Sequence, residues 1–170
     1  MESEEAVRPR VPLRFGGLDY ALEATAALLL AFFLIVAAGW RALPERVPIH
    51  FGIDGKADAW GNRISSLVLP LIAVVLYGCL TVLSRFPHAF NYPVPITPEN
   101  AETQYRLAVR LLLVLKTALV AVFFAIYVDV AMTAAGVQHG LSLWFLPVAL
   151  LCLVGPIGAY LFAASRSSNR

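Results

Sequence analysis

The sequence predicts an all-α membrane protein with four transmembrane helices and a structured extracytoplasmic loop, read as a short hairpin, between helices 1 and 2. Three observations carry this. Hydrophobic residues make up 59% of the chain and charged residues only 14%, with a mean hydropathy of +0.74. Apolar residues gather into four long blocks, Ala24 to Gly39, Ile64 to Leu83, Leu111 to Ala135 and Leu141 to Ala164. The polar stripes that a soluble helical bundle would show at helical period are absent from them.

A helix rises about 1.5 Å per residue, so roughly 20 apolar residues cross a hydrocarbon layer about 30 Å thick. Each block is near that length. The first exceeds the core of a cleaved signal peptide, usually about 7 to 15 residues, and reads as a retained span. Cys79 and Cys152 fall inside apolar blocks, where a thiol packs as a small hydrophobe; neither a disulfide framework nor a zinc motif is readable. Pro70 in the second span, and Pro147, Gly155, Pro156 and Gly158 in the fourth, suggest kinks, with Gly155 and Ala159 as a close-packing surface.

Four spans place residues 1–19, the inner loop 84–104 and the tail 165–170 on one side, and the outer loop 40–63 and the turn near Gly136 to Gly140 on the other. The first side carries Arg8, Arg10, Arg14, Arg85, Arg106, Arg110, Arg166 and Arg170, against Arg41, Arg46, Lys56 and Arg63. The positive-inside rule therefore predicts both termini in the cytoplasm. Basic residues beside helix ends speak of topology, and no nucleic-acid partner is expected.

The outer loop is dense in turn formers and aromatic residues, unlike a disordered linker. Pro44 and Pro48 push Leu43 and Val47 toward extended backbone, and Asp54-Gly55 is a turn dipeptide between Val47 to Ile53 and Lys56 to Trp60. Trp40 and Trp60 suit the membrane interface. His50, Asp54, Lys56, Asp58 and Trp60 form the candidate binding surface, for a peptide or protein partner. Imidazole and carboxylates can ligate metals, but the spacing of His50, Asp54 and Asp58 matches no metal motif, and neither a metal nor a cofactor is expected.

The inner loop leads into a helical pattern. Thr97 suits the N-cap, Pro98 the first helical position, and Glu99 the positive end of the helix dipole. Glu102, Arg106 and Arg110 recur every four residues and share one face, where they can pair or meet a cytoplasmic regulator at loop 84–104.

The run Leu43-Pro44, Val47-Pro48, His50-Phe51, Asp54-Gly55, Asp58, Trp60-Gly61, flanked by two spans, resembles the bacterial membrane domain of unknown function numbered 1648. Asn91-Tyr92-Pro93, then Thr97 to Asn100, then Gln104-Tyr105-Arg106, resembles the stretch after that domain in its short members. The resemblance runs over residues 20–135, with the fourth helix, 141–164, beyond it. Larger relatives include SdpI-like immunity proteins, for which the resemblance implies protection from a membrane-active peptide toxin and signalling through a membrane-held repressor. It supplies no reaction and no catalytic residues.

A charge at the centre of a span costs about 2.5 to 3.5 kcal/mol on insertion scales, so each such residue calls for a partner. Glu23 and Lys116 lie at similar depth on helices that run the same way, and are expected to pair or share water; the alternative is that Lys116 snorkels to the headgroups on its long stem. Asp129 points about 140° around the third helix from Lys116, and is expected to face the bundle near Arg41, Lys56 or Arg63.

Two functional classes are open: a sensor, regulatory or toxin-immunity-like module acting through the outer loop, or a small transport component using Asp129. An enzyme is not expected, since no paired nucleophile and base, zinc signature or phosphate-binding glycine loop is present.

Overall fold

The computed structural model describes residues 8–167; Arg170 and the remainder of both terminal tails lie outside the described residues. The helices are α1 (Gly17–Ala38), α2 (Val68–Leu83), α3 (Ala101–Ala134) and α4 (Phe145–Ser167). Between α1 and α2 stand the strands β1 (Arg46–Phe51) and β2 (Ala57–Asn62), flanked by 3-10 turns at Trp40–Ala42 and Arg63–Leu67. The turn Arg63–Leu67 runs directly into α2, and together they make the 21-residue second span. All four spans are long and apolar enough to cross a membrane, because only a helix satisfies its own backbone groups in lipid. This is a multi-pass membrane protein.

The helices alternate in direction. The hairpin and the α3–α4 turn share one end of the bundle, and the chain before α1, the 84–100 segment and the end of α4 share the other. At 34 residues, α3 is about 50 Å long, well beyond one bilayer crossing. It is the central pillar: α1, α2 and α4 each pack on it, while α1 and α2 touch each other little. The core joins Leu30, Phe33 and Ala37 of α1, Ala73 of α2, and Val120 and Tyr127 of α3. Phe33 anchors it, with ring centroids 5.4 Å from Phe124 and 5.5 Å from Tyr127, a spacing at which aromatic pairs attract beyond their buried area.

Several local expectations are corrected. Pro70 sits in the first turn of α2, just after the 3-10 turn, a position where a missing N–H costs no hydrogen bond within α2. Gly155, Gly158 and Ala159 are exposed on α4 and pack against no other helix among the described residues. The regular part of α3 starts after Asn100, and Thr97 caps the turn that leads into it, its carbonyl accepting the Ala101 N–H at 3.0 Å. Thr97 stands one turn earlier, where its N–H donates to Asn100 Oδ1 at 2.9 Å and its hydroxyl accepts the Asn100 N–H at 3.4 Å. The reciprocal pair resembles a capping box with Asn in place of Glu or Gln. Asn100 Nδ2 also donates to the Pro95 carbonyl at 3.0 Å, which draws the helix start toward the preceding proline-rich loop.

Candidate functional site

The hairpin is built by its turn. Gly52 N–H donates to the Lys56 carbonyl at 2.8 Å and Gly55 N–H to the Gly52 carbonyl at 2.9 Å, closing a three-residue loop. Gly55 occupies it with φ of 77°, a left-handed conformation that glycine adopts without steric cost. The turn is thus one step wider than an Asp54-Gly55 two-residue turn. Asp54 Oδ1 accepts the Lys56 N–H at 3.1 Å, and Lys56 Nζ lies 3.3 Å from Asp54 Oδ2. The backbone hydrogen bond from Lys56, with its side-chain contact, holds the Asp54 carboxyl below the usual carboxylate range. Its contribution to the turn is complete at neutral pH and is lost only as pH falls through that lowered value, below the ordinary 3.8.

Three contacts fasten the hairpin to the bundle. Val47 is fully buried, and β1 lies against α3. The Arg63 guanidinium donates to the Arg41 and Leu43 carbonyls at 2.9 and 3.2 Å, tying the two feet together. At the tip, Lys56 pairs as an antiparallel bridge with Gly140, and Leu141 N–H donates to the Gly55 carbonyl at 2.8 Å. The backbones approach so closely that a Cβ on Gly140 would stand 2.1 Å from the Gly55 oxygen.

The predicted surface residues all lie on this hairpin and all are exposed. His50 Nδ1 and Asp58 Oδ1 meet at 2.6 Å. Trp60 lies opposite Pro48 in the register, and its carbonyl accepts from Arg46 Nη2 at 3.3 Å. Asp54 turns instead to Lys56, so the structure divides the surface into a His50–Asp58 pair and an Asp54–Lys56 pair. Among the described residues no group of three or more His, Cys, Asp or Glu side chains is placed to hold a metal. Beneath the hairpin lies a cavity of about 270 Å³ between Pro48, Ile49 and Phe51 of β1, Ser65 and Leu69, and Ile126 and Val130 of α3.

Inside the span region the structure joins Glu23 to Lys116 as an ion pair. Tyr77 of α2 donates its hydroxyl to Glu23 Oε1 at 2.7 Å, and Lys116 Nζ donates to Thr81 Oγ1 at 3.0 Å while lying 4.5 Å from the centroid of the Tyr77 ring. The Lys116 side chain is 1% exposed, so it is held in the bundle and does not snorkel to the headgroups. Three helices therefore meet at one charge pair.

Sequence reasoning missed Asp19. Its side chain is buried, with Oδ1 2.7 Å from Arg110 Nε and Oδ2 accepting the Gly16 N–H at 2.8 Å and lying 3.9 Å from Arg106 Nη1. Asp19 thus caps α1 and pins it to α3 at once. The available signal was its spacing of one turn from Glu23, which puts both acids on one face of α1. Arg106 also pairs with Glu102 at 2.8 Å, whereas Arg110 leaves that row for α1. Asp19→Asn is expected to cost about 1–2 kcal/mol by weakening the Arg110 bond and the cap, read as a lower melting temperature in detergent.

Asp129 departs from expectation. Among the described residues it has no basic partner; Gln138 Nε2 donates to its Oδ1 at 2.8 Å and to its carbonyl at 3.3 Å. Arg63 and Lys56 are committed to hairpin contacts instead, and Arg41 lies over the Trp40 ring. The α3–α4 turn folds back after Gly136, at φ of 73°, and brings Gln138 within reach.

At the opposite end, the 84–100 segment folds onto α3. Tyr92 donates to the Pro87 carbonyl at 2.8 Å and packs on Tyr105, whose hydroxyl reaches the Pro9 carbonyl at 3.0 Å. Burial there pushes the Tyr92 hydroxyl well above its ordinary titration range. Arg8 bonds the Phe90 carbonyl and lies 5.9 Å from the centroid of the Tyr92 ring.

No solved structure matches the chain. An uncharacterized protein of Archaeoglobus fulgidus is 36% identical over 59 residues, a match that covers 30% of this chain and 32% of that relative. The chain thus spans about a third of the length of the curated relative it matches. Residues 27–74, from within α1 through the hairpin into α2, match the family model of a domain of unknown function, DUF1648.

Proposed function

We propose that this chain is a recognition module of a bacterial inner membrane, a sensor, regulatory or toxin-immunity-like protein without catalysis of its own. Both termini lie in the cytoplasm, and the hairpin meets a peptide or protein outside. One observation carries the reading: the hairpin is fastened at both feet and at its tip, yet the side chains of His50, Asp58 and Trp60 remain exposed. A surface held rigid in advance loses little entropy when a partner docks. The resemblance to SdpI-like proteins supports a peptide as that partner. The transport alternative has less support, because Gln138 already satisfies Asp129.

A photo-reactive residue at Trp60 is expected to give a discrete peptide or protein adduct in cells, weakened by Gly140→Val. Lipid adducts alone would overturn the reading. Orientation is tested with Cys79 and Cys152 replaced by alanine. A membrane-impermeant maleimide is then expected to label Asp58→Cys in intact cells, and Arg85→Cys only after permeabilisation. The reverse pattern would invert the topology.

A further inference from the structure

Four large apolar side chains are exposed around the hairpin tip and the start of α4. Ile53 is 108% exposed, Leu143 88%, Trp144 71% and Leu146 61%. Ile53 rides on the three-residue loop; Leu143 and Trp144 immediately precede α4. The backbone bridge at Gly140 holds the two segments together. Between them lies a cleft of about 500 Å³, lined by Phe51, Ile53 and Asp54 on one side and by Leu143, Leu146 and Pro147 on the other.

Leu146 and Pro147 belong to the first turn of α4, so this apolar surface continues without a polar break into the exposed helix face of Val148, Leu151 and Val154. Among the described residues no other element covers that face, since α4 packs chiefly on α3, and α4 is long and apolar enough to cross a membrane. The hairpin tip therefore lies at the depth where α4 enters the bilayer. Trp144 is the residue type that suits this layer, with an apolar ring and one N–H for the headgroups. Lys56, also at the tip, keeps its side chain 75% exposed with its ammonium 3.3 Å from the Asp54 carboxylate, so the polar part of the tip carries a matched charge pair.

We propose that the hairpin tip and the segment leading into α4 form one wedge seated in the lipid leaflet, with Ile53, Leu143 and Trp144 inserted at the level of the glycerol and upper acyl groups. The partner of this patch is the lipid surface itself. His50, Asp58 and Trp60 stay on the part of the hairpin farther from the tip, so the wedge stands independently of any partner they meet.

The test uses the full chain in phospholipid vesicles, with Cys79 and Cys152 replaced by alanine and an environment-sensitive fluorophore on Ile53→Cys or, separately, on Asp58→Cys. Lipids carrying a nitroxide high on the acyl chain are expected to quench the Ile53 label severalfold more than the Asp58 label, and aqueous iodide to show the opposite order. Leu143→Cys reads the second wall of the cleft and is expected to match Ile53. Equal iodide quenching at Ile53 and Asp58 would overturn the proposal, as would an Ile53 label that leaves water only when a peptide is added. Loss of the Trp60 adduct with lipid quenching intact would sink the recognition reading and leave the wedge standing.

Discussion

Gly140→Ala is expected to release the hairpin tip from the bundle while leaving the four helices in place. The added Cβ would stand 2.1 Å from the Gly55 oxygen and 3.0 Å from the Lys56 Cα, both of them backbone atoms that no rotamer change can move aside. Gly140 also has φ of 153°, where a side chain is strained whatever the space. Strain together with the lost backbone bonds comes to about 2–4 kcal/mol, enough to open the contact. Hydrogen exchange should show the Leu141 amide losing protection while helical circular dichroism is unchanged. Gly55→Ala should do less, about 1–3 kcal/mol, because its nearest atom, the Leu141 oxygen, is 3.2 Å away and φ of 77° is its main difficulty. If the Leu141 amide stays protected in Gly140→Ala, the tip contact does not hold the hairpin.

Lys116→Ala is expected to lower stability by about 3–5 kcal/mol, the range for removing one partner of a buried ion pair. The Lys116 side chain is 1% exposed and the Glu23 side chain left unpaired is 29% exposed, which sets the loss toward the lower end of that range. Glu23 would keep only the Tyr77 hydroxyl, and Thr81 would lose the ammonium it accepts from. Glu23→Gln with Lys116→Met should recover most of the loss, because an apolar or neutral pair of similar volume carries no uncompensated charge. Exchange of the charges, Glu23→Lys with Lys116→Glu, should be more stable than either single reversal. Melting temperatures in one detergent decide it; a double variant no better than Lys116→Ala would show that the pair does not hold the helices together.

Much of the architecture is legible in the chain because lipid allows so few solutions. A long apolar run must be a helix to satisfy its own backbone, so length and hydropathy are enough to place the four spans. Asp54-Gly55 between extended runs marks the hairpin for a local reason, the freedom of glycine at positive φ. The Glu23–Lys116 contact is legible through depth: two opposite charges at one level of adjacent spans have few other partners.

The tertiary structure alone decided which face of each helix meets which neighbour. Asp19 looks like a residue of the helix margin until α3 brings Arg106 and Arg110 against it. Asp129 lies near the hairpin end, as its depth implies, yet its partner is Gln138, because Arg63 is engaged with the Arg41 and Leu43 carbonyls. The contact of Gly55 with Gly140 leaves no periodic trace, since two glycines far apart in sequence show nothing until their backbones touch. Sequence determined the spans, their alternation and the hairpin, all set by local conformation and transfer to lipid. Packing around α3 decided the partners of Asp19, Glu23 and Lys116 and the seat of the hairpin, because those depend on atoms that meet only after the helices assemble.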